Sequence, residues 1–120
     1  MNSKFSDQLL AILEGISDGV VALNREAKYT SINRAAAELL RRLNRNPNAI
    51  VGQSLWQVFP ELRGTIVEKE IRRALENGVR IQYEYLFPTD QRWYEVQGYP
   101  SAEGVILLFR DITDRKAPTS

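Results

Sequence analysis

The sequence contains no cysteine and no histidine. The absence of cysteine excludes disulfides and thiolate nucleophiles, and the absence of histidine removes the commonest general base and the commonest haem ligand. Zinc sites built from these two residue types are excluded as well. We therefore predict neither a catalytic residue nor a metal site in this chain.

Long apolar runs and a strong net charge are also missing. The longest uninterrupted apolar run covers residues 105–109, whereas a membrane helix needs about 20 such residues. The 16 Lys and Arg oppose 15 Asp and Glu, which leaves a net charge of +1 instead of the basic excess typical of nucleic-acid binding. The N-terminal region lacks the apolar core of a secretion signal. We therefore expect a cytoplasmic chain, with neither a membrane nor a nucleic acid as its partner.

The length and composition indicate one globular domain. The chain has 120 residues, of which 43% are hydrophobic and 26% are charged. A first helical pattern lies over residues 5–16, where five apolar side chains recur at helical spacing: Phe5, Leu9, Ile12, Leu13 and Ile16. We predict an amphipathic helix there, whose apolar stripe needs a covering surface.

Two strands and three helical segments follow, each with its own pattern. Asn33 and Ser54 stand where they can cap the first two helices, and Asn77 with Gly78 supplies a stop for the third. Aromatic and β-branched residues mark the strands. The predicted segments are strands over residues 20–23 and 29–32, helices over 33–40, 54–59 and 62–75, and a loop over 44–52.

Three more strands are predicted after the last of these helices. Residues 79–87 and 92–99 flank a turn at residues 88–91 and predict a long antiparallel hairpin. Apolar residues do not alternate in the last strand, residues 105–109, so both of its faces must be covered. The order of elements predicts an α+β fold, a five-stranded antiparallel sheet with the middle helices on one face. The N-terminal amphipathic helix, or a second copy of the chain, would cover the other face.

Five short motifs follow one another along the chain. They are residues 18–21 (DGVV), 32–36 (INRAA), 52–60 (GQSLWQVFP), 92–100 (RWYEVQGYP) and 109–113 (FRDIT). Together they resemble a PAS domain, of the kind found beside bacterial histidine kinases and cyclic-dinucleotide enzymes, over residues 8–116. The resemblance implies three parts: a cap helix over residues 1–17, a PAS core over residues 18–114, and the start of a linker to an effector domain over residues 115–120.

The resemblance implies a sensory and signal-relay domain of a larger protein, and not an enzyme. It implies a cavity between sheet and helices, a homodimer through the N-terminal helix and the outer sheet face, and strain passed to a covalently attached effector beyond Thr113. Related blue-light sensors bond flavin through a cysteine and oxygen sensors usually hold haem through a histidine, so Cys-linked flavin and His-ligated haem are excluded here. A non-covalently bound small ligand, or none, is left open. One departure from the family is Pro118, which disfavours the long helix that usually follows.

Seven residues are candidates for the wall of the implied cavity: Asn33, Leu40, Trp56, Phe59, Ile71, Tyr94 and Leu107. A helix cap is the preferred interpretation of Asn33, and core packing that of Trp56 and Phe59. Asp111 and Thr113 are the candidate signal-output residues, because both can hydrogen-bond to the backbone where the chain leaves the sheet.

Two sets of residues on the predicted hairpin can be interpreted either as functional or as structural. Glu84 and Glu95 could serve a small carboxylate enzyme acting in the cavity, although a solvated charged face is the simpler interpretation. Five aromatic residues could stack a flat cofactor, or could form the cross-strand pairs that stabilise hairpins without a ligand: Tyr83, Tyr85, Trp93, Tyr94 and Tyr99. A sensory module is the leading hypothesis, and a cavity enzyme and a ligand-free interaction domain are its alternatives.

Overall fold

Five strands form a single antiparallel sheet in the computed structural model, which describes residues 18–116. The order across the sheet is β2–β1–β5–β4–β3. The five strands and the α+β plan agree with the prediction, whereas the predicted helix over residues 5–16 lies outside the described residues. The strands are β1 (Gly19–Asn24), β2 (Tyr29–Ile32), β3 (Ile81–Phe87), β4 (Arg92–Ser101) and β5 (Gly104–Asp111).

Three helices pack on one face of this sheet, which we call the inner face, and a fourth follows the last strand. Two short 3₁₀ turns, Pro47–Ala49 and Pro60–Leu62, connect the packed helices. None of the helices in the described part of the chain is long and apolar enough to cross a membrane. The helices are α1 (Arg34–Arg42), α2 (Leu55–Val58), α3 (Ile66–Asn77) and α4 (Thr113–Lys116), the last of which we call the exit helix.

Local hydrogen bonds set the helix ends where the sequence indicates them. The Ser54 hydroxyl accepts a bond from the backbone N–H of Gln57, and the Gln57 side chain accepts one from Ser54 N–H, which completes a capping box at α2. Helix α3 is capped by Gly78, which has a left-handed backbone (φ 63°). In this conformation the Gly78 N–H donates a hydrogen bond to the Ala74 carbonyl. These bonds satisfy backbone groups that a helix end otherwise leaves unpaired.

Helix α3 begins four residues later than its apolar period predicts. Leu62 closes the 3₁₀ turn Pro60–Leu62, and Gly64 adopts a left-handed backbone (φ 80°) that an α-helix does not contain. Thr65 then caps the helix, because its hydroxyl oxygen accepts a hydrogen bond from Val67 N–H at 3.1 Å. The apolar period therefore spans two elements that share the core.

The central strand β5 is buried on both faces. Leu107 faces α1 and α3 across the inner face, whereas Ile106 faces the opposite way, toward what we call the outer face. On the outer face, Ile106 packs with Val20 and Ala22 of β1, and Leu108 is half-buried beside them. The non-alternating strand and its two covered faces are thus confirmed. We call these four side chains the outer cluster.

Candidate functional site

An apolar cavity of about 130 Å³ lies between the inner face and helices α1 to α3. Aliphatic residues and aromatic rings from all three helices and from all five strands surround it, and none of its walls in the described chain carries a charged side chain. The lining residues are Val21, Tyr29, Ala36, Leu39, Leu40, Leu43, Leu55, Phe59, Leu62, Val67, Ile71, Tyr83, Tyr85, Phe87, Tyr94, Val96, Leu107 and Phe109.

Burial favours the neutral form of three tyrosines in this wall, Tyr29, Tyr83 and Tyr94. Burial raises the pKa of Tyr29 and of Tyr83 well above the ordinary value of a phenol, because the phenolate would lose its hydration. Burial likewise raises the pKa of Tyr94, and the hydrogen bond from its hydroxyl to Asp90 at 2.7 Å adds to the effect. The cavity is therefore an uncharged, largely apolar environment.

The structure places five of the seven predicted cavity residues in the wall: Leu40, Phe59, Ile71, Tyr94 and Leu107. Asn33 and Trp56 do not line the cavity. Trp56 lies half-buried on α2 against the edge of the core, with the Arg63 guanidinium 5.8 Å from its ring centroid. A cation over the ring satisfies this aromatic face without a ligand.

Asn33 is buried and forms three side-chain hydrogen bonds within the protein. Its side-chain oxygen accepts hydrogen bonds from Ala36 N–H and Val20 N–H, both at 2.9 Å, and its amide donates to the Asp18 carbonyl at 3.0 Å. The cap interpretation is therefore correct but incomplete, since the same side chain also fixes the start of β1. Both polar atoms of the Asn33 side chain therefore have partners within the protein.

The aromatic residues of the β3–β4 hairpin divide between the two faces of the sheet. Tyr83, Tyr85 and Tyr94 line the cavity, and Tyr85 lies directly opposite Tyr94. Trp93 and Tyr99 belong to the other set of alternating positions on β4 and face outward. A single flat cofactor stacked by all five rings is therefore wrong, because strand geometry separates them.

The predicted cavity wall omits Phe87, and Tyr83 and Tyr85 are named only as possible stacking rings for a flat cofactor. Tyr83, Tyr85 and Phe87 recur at every second position of β3, which places them on one face of a strand. The Phe87 ring lies edge-on to Phe59 at 5.6 Å and to Tyr94 at 6.5 Å between centroids. Period-two spacing on β3 was the signal that could have identified them.

Glu84 and Glu95 lie outside the cavity. They face each other across β3 and β4 on the outer face, where Arg115 approaches Glu84 at 3.3 Å and Lys116 approaches it at 2.6 Å. Carboxylates on the opposite side of the sheet cannot reach a substrate in the cavity. The alternative of a cavity enzyme using this pair is therefore wrong, and a charged outer face is correct.

Asp111 and Thr113 build the junction between β5 and the exit helix. The Thr113 hydroxyl donates to the Asp111 carboxylate at 2.6 Å and accepts from Trp93 N–H at 2.9 Å. The Asp111 carboxylate also accepts from Thr113 N–H and pairs with Arg92. Burial alone would raise the pKa of Asp111, but hydrogen bonds from Thr113 and Arg92 outweigh it and hold that pKa below its usual range.

An ion pair ties the start of the described chain to the last strand. The Arg110 guanidinium binds both carboxylate oxygens of Asp18, with its shortest contact at 2.9 Å. Asp18 is itself buried and precedes β1, whereas Arg110 precedes the junction at Asp111. The residues that begin the domain and those that end it therefore lie side by side.

An antiparallel sheet of this order, with an apolar cavity under its helices and a short helix after the last strand, defines an α+β domain in which sheet and helices enclose a common cavity. The family model for the PAS fold matches residues 13–117. The chain therefore belongs to the PAS family, whose members are generally sensory and not catalytic.

Solved structures share this fold over most of the chain. A domain of an HTR-like protein from Haloarcula marismortui is 28% identical to this chain and superposes with a TM-score of 0.65. The alignment covers 82% of this chain and 100% of that domain. A second similar structure is the photoactive yellow protein domain of the sensor histidine kinase Ppr from Rhodospirillum centenum, which is 13% identical and superposes with a TM-score of 0.66. The alignment covers 92% of this chain and 99% of that domain.

A third structure of the same fold contains a bound molecule. The PAS domain of the quorum-sensing receptor RpfR from Cronobacter turicensis, in complex with BDSF, is 19% identical and covers 82% of this chain and 96% of its own, with a TM-score of 0.65. No curated protein matches the sequence.

Proposed function

We propose that this chain is the sensory and relay domain of a larger cytoplasmic signalling protein, with a histidine kinase or a cyclic-dinucleotide enzyme as its covalently attached effector. The domain itself performs no chemistry in this proposal. Similarity to a domain of a sensor histidine kinase supports the effector class. The PAS family and the apolar cavity support the sensory role.

The observation that carries the relay is the position of Trp93 and Tyr94. Tyr94 lines the cavity and lies opposite Asp111 in the sheet. The backbone of its neighbour Trp93 holds the junction through two hydrogen bonds. Trp93 N–H donates to the Thr113 hydroxyl at 2.9 Å, and the Trp93 carbonyl accepts from Ile112 N–H at 2.8 Å. A shift of Tyr94 caused by a ligand therefore moves the backbone on which the exit helix is fixed.

The cavity selects the chemistry of the ligand. An apolar cavity of about 150 Å³ stays dry and binds benzene in another protein, and the cavity here has about 130 Å³. Without charged side chains in the wall, a charged ligand would lose its hydration and gain no partner. The ligand is therefore a small neutral molecule, aromatic or short-chain aliphatic, and the volume is too small for flavin or haem. The RpfR complex with BDSF supports ligand binding by a domain of this fold.

The outer face is the proposed dimer surface, together with the N-terminal helix predicted over residues 5–16. The outer cluster supports this, because Val20, Ala22 and Ile106 are almost completely buried although helices α1 to α3 all pack on the other side of the sheet. Apolar residues at the centre of an exposed sheet face would be costly in water. In this proposal, the predicted N-terminal helix and a second copy of the chain together cover the outer face.

Native mass spectrometry and an absorbance spectrum of the purified chain show directly whether it retains a ligand. Binding is then measured as the rise in melting temperature with benzene or toluene, since a ligand at one hundred times its Kd stabilises the folded state by about 2.7 kcal/mol. We expect a rise of several degrees with these ligands. Benzoate, which has the same ring and a charge, should cause none.

Two variants of α3 separate cavity binding from surface binding. Val67 lines the cavity, whereas Leu75 packs against the core outside it. Val67→Phe fills the cavity and should abolish the rise, and Leu75→Phe should keep it. An equal rise of the melting temperature in both variants, or no rise in the native chain, would contradict ligand binding in the cavity. Either result would favour a ligand-free interaction domain.

A further inference from the structure

Two like charges face each other on the outer face, at a place where nothing in the hairpin itself neutralises them. Glu84 on β3 and Glu95 on β4 are direct cross-strand partners. Like charges in this position repel and destabilise a hairpin. Such a pair therefore needs cations supplied by another part of the molecule.

The exit helix supplies those cations. Arg115 lies 3.3 Å from Glu84 and 3.7 Å from Glu95, so one guanidinium bridges both carboxylates. Lys116 approaches Glu84 at 2.6 Å, and its ammonium group also lies 5.0 Å from the ring centroid of Trp93. Both basic side chains of this helix are thus turned back onto the hairpin.

The same side chains continue a line of charge across the outer face. Arg110 lies opposite Glu95 on the next strand, and it binds Asp18 at the start of β1. The charges therefore alternate in sign from Asp18 through Arg110 and Glu95 to Arg115 of the exit helix. The line connects the place where the chain begins the sheet with the place where it leaves.

We infer that Glu84 and Glu95 form an ionic latch that holds the exit helix against the outer face, and that release of this latch changes the direction in which the chain leaves the domain. Exposed ion pairs are individually weak and are screened by salt, which suits a contact that must open. The hydrogen bond from Lys116 is the first cause that lowers the pKa of Glu84, so the contact with the exit helix favours the charged carboxylate. The inference deepens the proposed function, because it describes how the relay output is held.

Proton–nitrogen NMR of the full 120-residue chain tests the latch. The chain contains only two tryptophans, so the indole signal of Trp93 can be assigned with a Trp93→Phe variant. Raising NaCl from about 0.01 M to about 1 M shortens the screening length from about 30 Å to about 3 Å. We expect the Trp93 indole and the amides of residues 113–116 to shift with salt, as the Lys116 ammonium leaves the ring.

The double variant Glu84→Gln with Glu95→Gln removes the latch and keeps the shape of both side chains. Its spectrum at low salt should match that of the native chain at high salt, and its salt-dependent shift should be lost. Glu70→Gln is the matched control, because Glu70 pairs with Arg73 on α3, away from the exit helix. This control should keep the native salt response.

Charge reversal supplies a second test. Arg115→Glu with Lys116→Glu should release the helix, and adding Glu84→Lys and Glu95→Lys to the same chain should restore the salt response. An unchanged salt response in the glutamine variant, at an unchanged melting temperature, would overturn the latch. That result leaves the sensory proposal intact, because ligand binding in the cavity is measured separately.

Discussion

At the scale of single residues, Asn33 shows how one side chain can serve two elements. Its exposed fraction is 2%, and it bonds to the first turn of α1 through Ala36 and to the start of β1 through Val20 and Asp18. A buried polar group without partners costs about 1–3 kcal/mol, and Asn33 prevents this cost for three backbone groups at once. The sheet and the helix layer are therefore joined at a buried polar point.

Asn33→Ala should destabilise the domain by roughly 2–4 kcal/mol, because it removes a helix cap and leaves buried backbone groups unpaired. Asn33→Ser should recover part of this loss, since a serine oxygen can still cap α1 but cannot reach the Asp18 carbonyl. The free energy of unfolding in urea measures both effects. Asn46→Ala is the control, because Asn46 caps a 3₁₀ turn through an exposed hydrogen bond and its loss should cost less than about 1 kcal/mol. Equal costs at the two positions would contradict the joining role of Asn33.

At the scale of elements, the sequence predicts those features that are determined locally. The signals that locate the helices and strands depend only on residues close in sequence. They are caps such as Ser54, the stop at Gly78 and the change from helical to alternating periods. Membership of the cavity wall is different, because it depends on which faces meet after folding. Trp56 and Tyr83 are both large aromatics, but only the packing of the sheet against the helices places Tyr83 in the wall and Trp56 outside it.

The junction between β5 and the exit helix should lose stability in acid. Asp111 has its pKa below the usual range in the folded state and an ordinary value of about 3.9 when unfolded, so its contribution is present above the ordinary value and is lost as pH falls through the folded one. Urea unfolding measured between about pH 6 and pH 2 should show this decline. Asp111→Asn, which cannot titrate, should flatten the pH dependence and cost up to about 1 kcal/mol at neutral pH. An unchanged slope in the variant would show that Asp111 carries no such linkage.

At the scale of the whole molecule, the two faces of the sheet have different tasks. The inner face encloses the cavity, and the outer face carries the latch over β3 and β4 and the outer cluster over β1 and β5. In the proposed relay, movement of the inner wall displaces groups on the outer face, because both faces share the same strands. Asp18 and Arg110 lie together on this outer face, so the start of β1 and the strand that leads to the exit helix are joined at one surface. A partner chain bound there would sense the state of the cavity.

The outer face can be tested with a single charge. Leu108 is half-buried in the outer cluster, opposite Val20 and Gln97 in the neighbouring strands. A carboxylate placed there would be desolvated by whatever covers the cluster, so Leu108→Glu should dissociate the proposed dimer and lower the free energy of unfolding by roughly 1–3 kcal/mol. Sedimentation velocity gives the mass, and urea unfolding gives the stability. Val51→Glu is the matched control, because Val51 is 57% exposed and lies outside the outer cluster. If Leu108→Glu leaves both mass and stability at the values of that control, the outer face is not covered by an apolar partner and the dimer surface must lie elsewhere.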